Sequence, residues 1–220
     1  MKLALFDLDN TLLNGDSDYC WAQYLIERGI LEREEYERKN DWFYHHYKQG
    51  TLDIHNYLDF QLAPIAGRPR EVIDEWHREF MDAKIRPAIH AGTPALLASH
   101  AGALRAIVTA TNRFITEPIA RELGVEHLIA CDVEEMPDGR LTGRPLGTPS
   151  FREGKITRLH EWLASLGRRF DEFEETWFYS DSHNDLPLLE LVSKPVAVDP
   201  DPTLESHARE RGWPILRLRA

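Results

Sequence analysis

Cysteine is scarce: two in 220 residues, Cys20 and Cys131, far apart and outside any CxxC spacing. That leaves no framework for a disulfide-stapled fold or a zinc cluster, and it fits a reducing cytoplasm. Long apolar runs are missing too, since none approaches the ~20 residues of a membrane helix. The opening stretch, Met1-Lys2-Leu3-Ala4-Leu5-Phe6-Asp7, starts like a signal peptide, but its apolar run is short and ends in acid. Basic residues are also in short supply, 26 Lys and Arg against 37 Asp and Glu, for a net charge of −11. A nucleic-acid surface needs clustered cations to displace counterions, so that class of partner is disfavoured. No internal repeat or low-complexity tract is visible. What remains is a chain with 42% hydrophobic and 29% charged residues, long enough to bury one core and carry an insertion.

Leu3 to Phe6 is a short continuous apolar run, which reads as a buried strand ending at Asp7. Similar runs are Ala106–Val108, Leu128–Ala130, Trp177–Tyr179 and Val196–Val198. Helix-like stretches lie between them, roughly 93–102, 113–123, 154–166 and 184–192. Buried strands alternating with helices predict an α/β fold, a doubly wound parallel sheet with ligands at the carboxyl ends of its strands. Residues 15–85 differ: they hold no convincing strand, and Trp21, Tyr24, Leu25 and Ile30, then Val72, Trp76, Phe80 and Met81, recur at helical spacing. This predicts a core of 1–14 and 86–220 with an inserted helical domain at 15–85. The crossings near Gly15 and Pro87 are hinge candidates, and Asp138-Gly139 marks a small hairpin.

The chemistry-bearing residues sit at strand ends. Asp7-Leu8-Asp9-Asn10-Thr11 follows the first strand directly. Asp7 can attack phosphorus, Asp9 can protonate a leaving oxygen and later activate water, and together they can help hold a hard divalent cation. A solubilising turn is the plain alternative for this pattern alone. Ser180-Asp181-Ser182-His183-Asn184-Asp185 follows another apolar run. Alone it reads equally well as a helix N-terminus. Beside Asp7 and Asp9 it completes an oxygen-rich magnesium site of Asp7, Asp9, Asp181 and Asp185. Close carboxylates repel by about 4 kcal/mol per pair in a partly screened site, and a cation is the simplest way to hold them. Thr109 ends the run Ala106–Val108, where its hydroxyl and the N–H groups of Ala110 and Thr111 can bind phosphate oxygens, with Thr11 joining that set. Lys155, the only lysine between Lys84 and Lys194, opens a helix and can neutralise charge on Asp7 and a transferring phosphoryl group, with Arg152 as a local competitor.

In this order, Asp7-x-Asp9-x-Thr11, Thr109, Lys155 and Asp181-x-x-Asn184-Asp185 resemble the haloacid dehalogenase superfamily of phosphotransferases. The resemblance spans the chain from Asp7 to beyond Asp185 and is weaker in the insertion. It implies a Rossmann-like core with a helical cap and Mg2+ as cofactor. Asp7 would be the nucleophile and a metal ligand, and Asp9 the general acid/base with its carbonyl on the metal. Asp181 would be a direct ligand, and Asp185 would act through water or from behind the ligands. Thr109 and Lys155 would bind the phosphoryl group. An acid at Asp9 points to phosphatase rather than dehalogenase chemistry, because a leaving alkoxide needs a proton and a halide does not. The cap's place resembles the phosphoserine phosphatase branch, in which an acid nine residues after the nucleophile contacts the substrate's ammonium. That position is Asp16, which reads equally as a helix N-cap.

One departure bears on substrate. Where that branch carries a cap arginine for the serine carboxylate, this chain has Gln61, and Thr51–Gly67 holds no Arg or Lys. A small phosphate ester without a carboxylate fits better, an amino-alcohol phosphate such as histidinol phosphate, and some cap-bearing proteins of the branch look like histidinol-phosphatases. Phosphoserine is the alternative substrate. A phosphotransferase or mutase, or a metal- or phosphate-binding regulator without turnover, are the rival functions. The aromatic run Trp42–Tyr47 reads as a helix packing one apolar face, with stacking on a substrate ring as the other reading. His183 either lines the site or faces solvent, and His45-His46 lacks the spacing of a zinc site.

Overall fold

The computed structural model describes residues 1–219. Chain order begins with β1 (Lys2–Phe6), then four helices without an intervening strand: α1 (Ser17–Glu27), α2 (Arg33–Lys48), α3 (Ile54–Leu62) and α4 (Arg70–Phe80). A π-helical turn, Met81–Ile85, leads into the short α5 (Arg86–Ala88) and α6 (Thr93–Ser99). The second half alternates: β2 (Leu104–Asn112), α7 (Arg113–Glu122), β3 (His127–Glu135), β4 (Leu141–Leu146), α8 (Glu153–Ser165) and β5 (Glu175–Ser180). It closes with α9 (Leu186–Leu191), β6 (Lys194–Val198), α10 (Pro202–Arg211) and β7 (Ile215–Leu216).

The strands form one sheet in the order β4-β3-β2-β1-β5-β6-β7. Every pairing is parallel except β3 with β4, which is antiparallel. The sheet is therefore mixed at one edge, departing from an all-parallel reading. A tight turn around Asp138-Gly139, with Gly139 at φ +83, can join only antiparallel neighbours. Both faces of the sheet are covered, and alternation along β1 assigns them. Ala4 and Phe6 enter one apolar cluster with Leu97, Ile115 and Ile119, while Leu3 and Leu5 enter another with Leu159, Leu188 and Leu204. Helices on both sides of a largely parallel sheet make the doubly wound core.

Three of the four helices of 15–85, α1 to α3, start on side-chain caps. Asp16 accepts from the Tyr19 N–H, Glu32 from the Glu34 and Glu35 N–H groups, and Asp53 from the His55 and Asn56 N–H groups. α4 buries Ile73, Trp76, His77 and Phe80, one face at helical spacing. Fully burying a side chain such as Phe80 stabilises by about 1.5–3 kcal/mol, and here it packs edge-on against the Trp21 ring, which also meets Phe114 of α7. The two crossings to the sheet run side by side. Asn14 donates to the Ala88 carbonyl at 2.7 Å, Leu13 bridges Ile89, and Gly15 has φ +143.

The chain runs outward from β1 through β2, β3 and β4 on one side, then returns to β5, β6 and β7 on the other. β1 is thus where strand order reverses, and the crevice past its carboxyl end is the expected ligand position. Among the described residues no helix is long and apolar enough to cross a membrane.

Candidate active site

Asp7 sits one residue past β1, anchored by its N–H on the Tyr179 carbonyl at 2.9 Å. Its carboxylate is buried and accepts from Lys155 Nζ at 2.8 Å. The same ammonium donates to Asp185 at 2.7 Å, and Ser180 Oγ donates to the same Asp185 oxygen at 2.7 Å. Lys155 owes its place to Gly154, because a Cβ there would lie 2.1 Å from the Pro149 carbonyl oxygen. Burial alone would lower the lysine, but Asp185 and Asp7 hold its ammonium well above the ordinary value. Arg152 does not take this position: its guanidinium bonds Asn184 Oδ1 at 3.2 Å.

Thr11 ties the first motif to the last. Its hydroxyl lies 3.4 Å from Asp7 Oδ2 and 3.2 Å from Asp181 Oδ1, and it accepts from the Asp181 N–H at 3.1 Å. Burial pushes Asp7 up to about 7 against the lowering pull of Lys155, with Asp185 raising it further. Asp181 stands well above the carboxylate range, from burial first and then from Asp7 and Asp185. Asp7 and Asp185 share the Lys155 ammonium and the partly exposed Asp181 does not reach it, so three carboxylates stand around one cation. Among the described residues no three His, Cys, Asp or Glu side chains make a ready-built metal cage. The donor set fits a hard divalent cation held by one or two carboxylates, with main-chain oxygen, water and substrate completing its shell.

Asp9 faces the other way. One oxygen accepts from the Ser17 N–H at 2.7 Å, at the start of α1, and the other from Thr111 Oγ1 at 2.8 Å. Burial and then Asp16 push its carboxyl up to about 6. Thr109 is buried at the same place, 3.5 Å from the same Asp9 oxygen, and its hydroxyl accepts from the Thr111 N–H at 3.1 Å. Here β2 continues past Thr109 to Asn112, and its register on β3 shifts between Val108 and Asn112. Thr109, Ala110 and Thr111 thus lie on an irregular strand segment, a bulge-like feature that re-aims side chains near sites.

These residues open on a cavity of about 500 Å3 between the sheet's carboxyl edge and the helices of 15–85. Acids dominate its wall, with Asp16, Asp18 and Asp41 joining the core aspartates, while Phe43, Tyr44, Tyr47 and Tyr57 supply rings. A larger groove, about 700 Å3, lies between α4 and α7, but Arg70, Arg86 and Arg113 there are each in ion pairs and no motif residue reaches it.

Several expectations for the insertion resolve here. Asp16 both caps α1 and lines the cavity. Gln61 is turned away from the cavity, its amide accepting from Tyr36 and donating to Tyr57. The run Trp42–Tyr47 splits: Phe43 is buried, Trp42 stays exposed, and the Tyr47 hydroxyl donates to Ser182 Oγ at 2.8 Å. His183 neither lines the cavity nor faces solvent freely, since Asp201 binds its ring and its N–H at 2.8 Å each. Asp18, Tyr57 and Asn112 carry no motif and escape sequence reading; the spacing of Tyr57 and Gln61, four apart on one helix, was the only available signal. Lys48 and Arg219 also line the cavity, so it has cations although Thr51–Gly67 supplies none.

Comparison with known proteins places the chain in a family. Residues 4–190 match the family described as haloacid dehalogenase-like hydrolase. The chain is 49% identical to a histidinol-phosphatase of Neisseria meningitidis serogroup C, covering 99% of each chain. It is 33% identical to phosphoserine phosphatase SerB1 of Mycobacterium tuberculosis, over 98% of this chain and 70% of that one. Among solved structures, a protein of unknown function from Bordetella pertussis superposes with a TM-score of 0.92 at 47% identity, covering 99% of each chain. A substrate-bound phosphoserine phosphatase superposes with a TM-score of 0.67 at 19% identity, covering 98% of this chain and 92% of that one, a likeness of fold.

Proposed function

The chain belongs to the haloacid dehalogenase-like hydrolase family as a phosphatase, and we propose that it is a magnesium-dependent phosphomonoesterase working through a phospho-aspartate on Asp7. Its proposed substrate is histidinol phosphate or another small amino-alcohol phosphate. The observation that carries the reading is the buried Asp7–Lys155–Asp185 ion-pair triad at the switch point of the sheet, with Asp181 and Asp9 beside it.

In this reading Asp7 attacks phosphorus in line, forming its own P–O bond as the bond to the alcohol oxygen breaks. The leaving oxygen keeps the electron pair and takes a proton from Asp9. Water then attacks the same phosphorus, gives its proton to Asp9, and displaces Asp7 as inorganic phosphate forms. Thr109, the N–H groups of Ala110 and Thr111, and Lys155 orient the phosphoryl oxygens. Asp7 and Asp181, with the Asp9 carbonyl and Asp185 through water, would hold the magnesium ion, which supplies charge neutralisation on the phosphoryl group. Residues 15–85 act as a cap over a core of 1–14 and 86–220, excluding water and carrying selectivity.

The amino-alcohol assignment is supported by the acidic, ring-lined cavity and by the histidinol-phosphatase relative at 49% identity. Phosphoserine is the second reading, favoured by Lys48 and Arg219 on the cavity wall, either of which can pair a carboxylate. The test is phosphate release from histidinol phosphate, phosphoserine, phosphoethanolamine and sugar phosphates, with magnesium or chelator, by wild type and Asp7→Asn. Chelator-sensitive release lost in Asp7→Asn is expected, with histidinol phosphate ahead. Release that survives Asp7→Asn overturns the phospho-aspartate, and phosphoserine in first place overturns the substrate assignment.

A further inference from the structure

Asp18 is a buried acid of the cavity wall that this mechanism leaves unused. It is 1% exposed, lines the cavity, and has no Lys, Arg or His in ion-pair distance among the described residues. A buried carboxylate without a counter-charge is costly. Burial, then Asp16 and Asp9, push its carboxyl well above the ordinary range.

Its surroundings are nevertheless arranged for an anion. Tyr36 donates its hydroxyl to Gln61 Oε1 at 2.8 Å, Gln61 Nε2 donates to the Tyr57 oxygen at 2.9 Å, and Tyr57 donates to Asp18 Oδ2 at 3.3 Å. Because the Tyr57 oxygen already accepts from Gln61, its proton is directed at Asp18. Asn112 works the same way on the other oxygen. Its Oδ1 accepts from the Ile115 N–H at 3.2 Å, capping α7, which turns its Nδ2 toward Asp18 Oδ1 at 3.3 Å. Each carboxylate oxygen thus receives one donor of fixed polarity and keeps acceptor capacity for a further one.

Asp16 is less free: its Oδ1 is committed to the Tyr19 N–H at 2.9 Å as the cap of α1. Tyr57, which bonds Asp18, and Phe43, edge-on to the Tyr57 ring at 5.4 Å, both line the cavity, and aromatic rings favour a cation nearby.

We propose that Asp18 is a specificity-determining residue that binds the substrate's ammonium group, held in place by Tyr57 and Asn112. The inference rests on the phosphomonoesterase reading and deepens it. An arriving ammonium supplies the missing counter-charge to a carboxylate already desolvated and oriented, so little reorganisation is needed. Gln61 acquires a role from this: it directs the Tyr57 proton without touching substrate.

The experiment compares kcat/KM for histidinol phosphate with that for its deamino analogue, 3-(imidazol-4-yl)propyl phosphate, in the magnesium-loaded full chain. p-Nitrophenyl phosphate runs alongside as a general ester. Wild type is expected to prefer the amine, and Asp18→Asn to lower the ratio tenfold or more, chiefly through KM. Tyr57→Phe, which keeps the carboxylate and removes one donor, is expected to lower it threefold or more, and it carries the test if Asp18→Asn does not fold. Ratios within threefold of wild type in Asp18→Asn, or within twofold in Tyr57→Phe where that variant carries the test, overturn the assignment while leaving the phosphatase reading intact. No phosphate release by wild type from any of the three esters overturns both.

Discussion

Lys155 is the residue on which the buried acids depend. It is 3% exposed and bonds Asp7 and Asp185 together, so Lys155→Met leaves two carboxylates in a site already too negative. Breaking a buried pair in this way costs about 3–5 kcal/mol, and urea unfolding should show that loss along with lost turnover. Asp7→Asn is expected to behave differently: it removes one of the excess charges, leaves Lys155 paired with Asp185, and should raise the melting temperature in chelator while abolishing phosphate release. At Asp16 the cap and the charge it places on the cavity wall separate by substitution. Asp16→Asn keeps a good cap and should hold stability within a few tenths of a kcal/mol, whereas Asp16→Ala should lose about 1 kcal/mol from α1. A drop in activity in Asp16→Asn then reports charge at the site rather than helix fraying.

At the scale of elements, two helix ends in 15–85 touch the catalytic loops. The start of α1 reaches Asp9 through the Ser17 N–H, and the end of α2 reaches the loop after β5. There Tyr47 donates to Ser182, and its carbonyl accepts from Asn184 Nδ2 at 3.1 Å. Gly50, just past α2, lets the chain turn away: its φ is +68, and a Cβ there would come within 2.7 Å of the Arg152 guanidinium. Gly50→Ala should cost roughly 1–2 kcal/mol in backbone strain and loosen this contact. The expected signature is a lower urea midpoint together with a raised KM, both measurable on one preparation.

Across the whole molecule, the uncompensated acids set how stability responds to pH and metal. Asp7 at about 7 and Asp9 at about 6 lie above the unfolded carboxylate value near 4, so the folded state binds protons more tightly. Their favourable contribution is present in full below about pH 4 and is lost as pH rises through 6 to 7. Buried His77 and His90 and the half-buried His100, lowered by desolvation, work in the opposite sense as pH falls below 6.5, with and without metal alike. The difference between the two conditions therefore isolates the acids. Magnesium should raise the melting temperature more at pH 8 than at pH 5.5, because the carboxylates that would hold it must be deprotonated. An equal rise at both pH values would contradict this account.

How much was legible in the sequence depended on the range of the interaction. β1, β5 and β6 announce themselves because a strand covered on both faces is a continuous apolar run, as Leu3–Phe6 is. Asp7 and Asp181 follow from that, since a carboxylate one residue past a buried strand has nowhere to point but the crevice. The antiparallel placement of β4 and the extension of β2 through Thr109 to Asn112 were less visible. Polar Thr, Asn and Glu carry no burial signal until neighbours pair with them. Local sequence thus determined the α/β core, the helical character of the insertion and the order of the motif acids, each through contacts within one strand or one helical turn. Tertiary structure alone decided that Lys155 rather than Arg152 meets Asp7, that Gln61 faces Tyr57 instead of the cavity, and that Asp18 is buried without a cation. Apart from the Tyr57–Gln61 contact within α3, those outcomes join residues 25 to 148 positions apart, as in Tyr36–Gln61 and Asp7–Lys155, and no pattern within one element encodes which side chains two separately packed surfaces bring together.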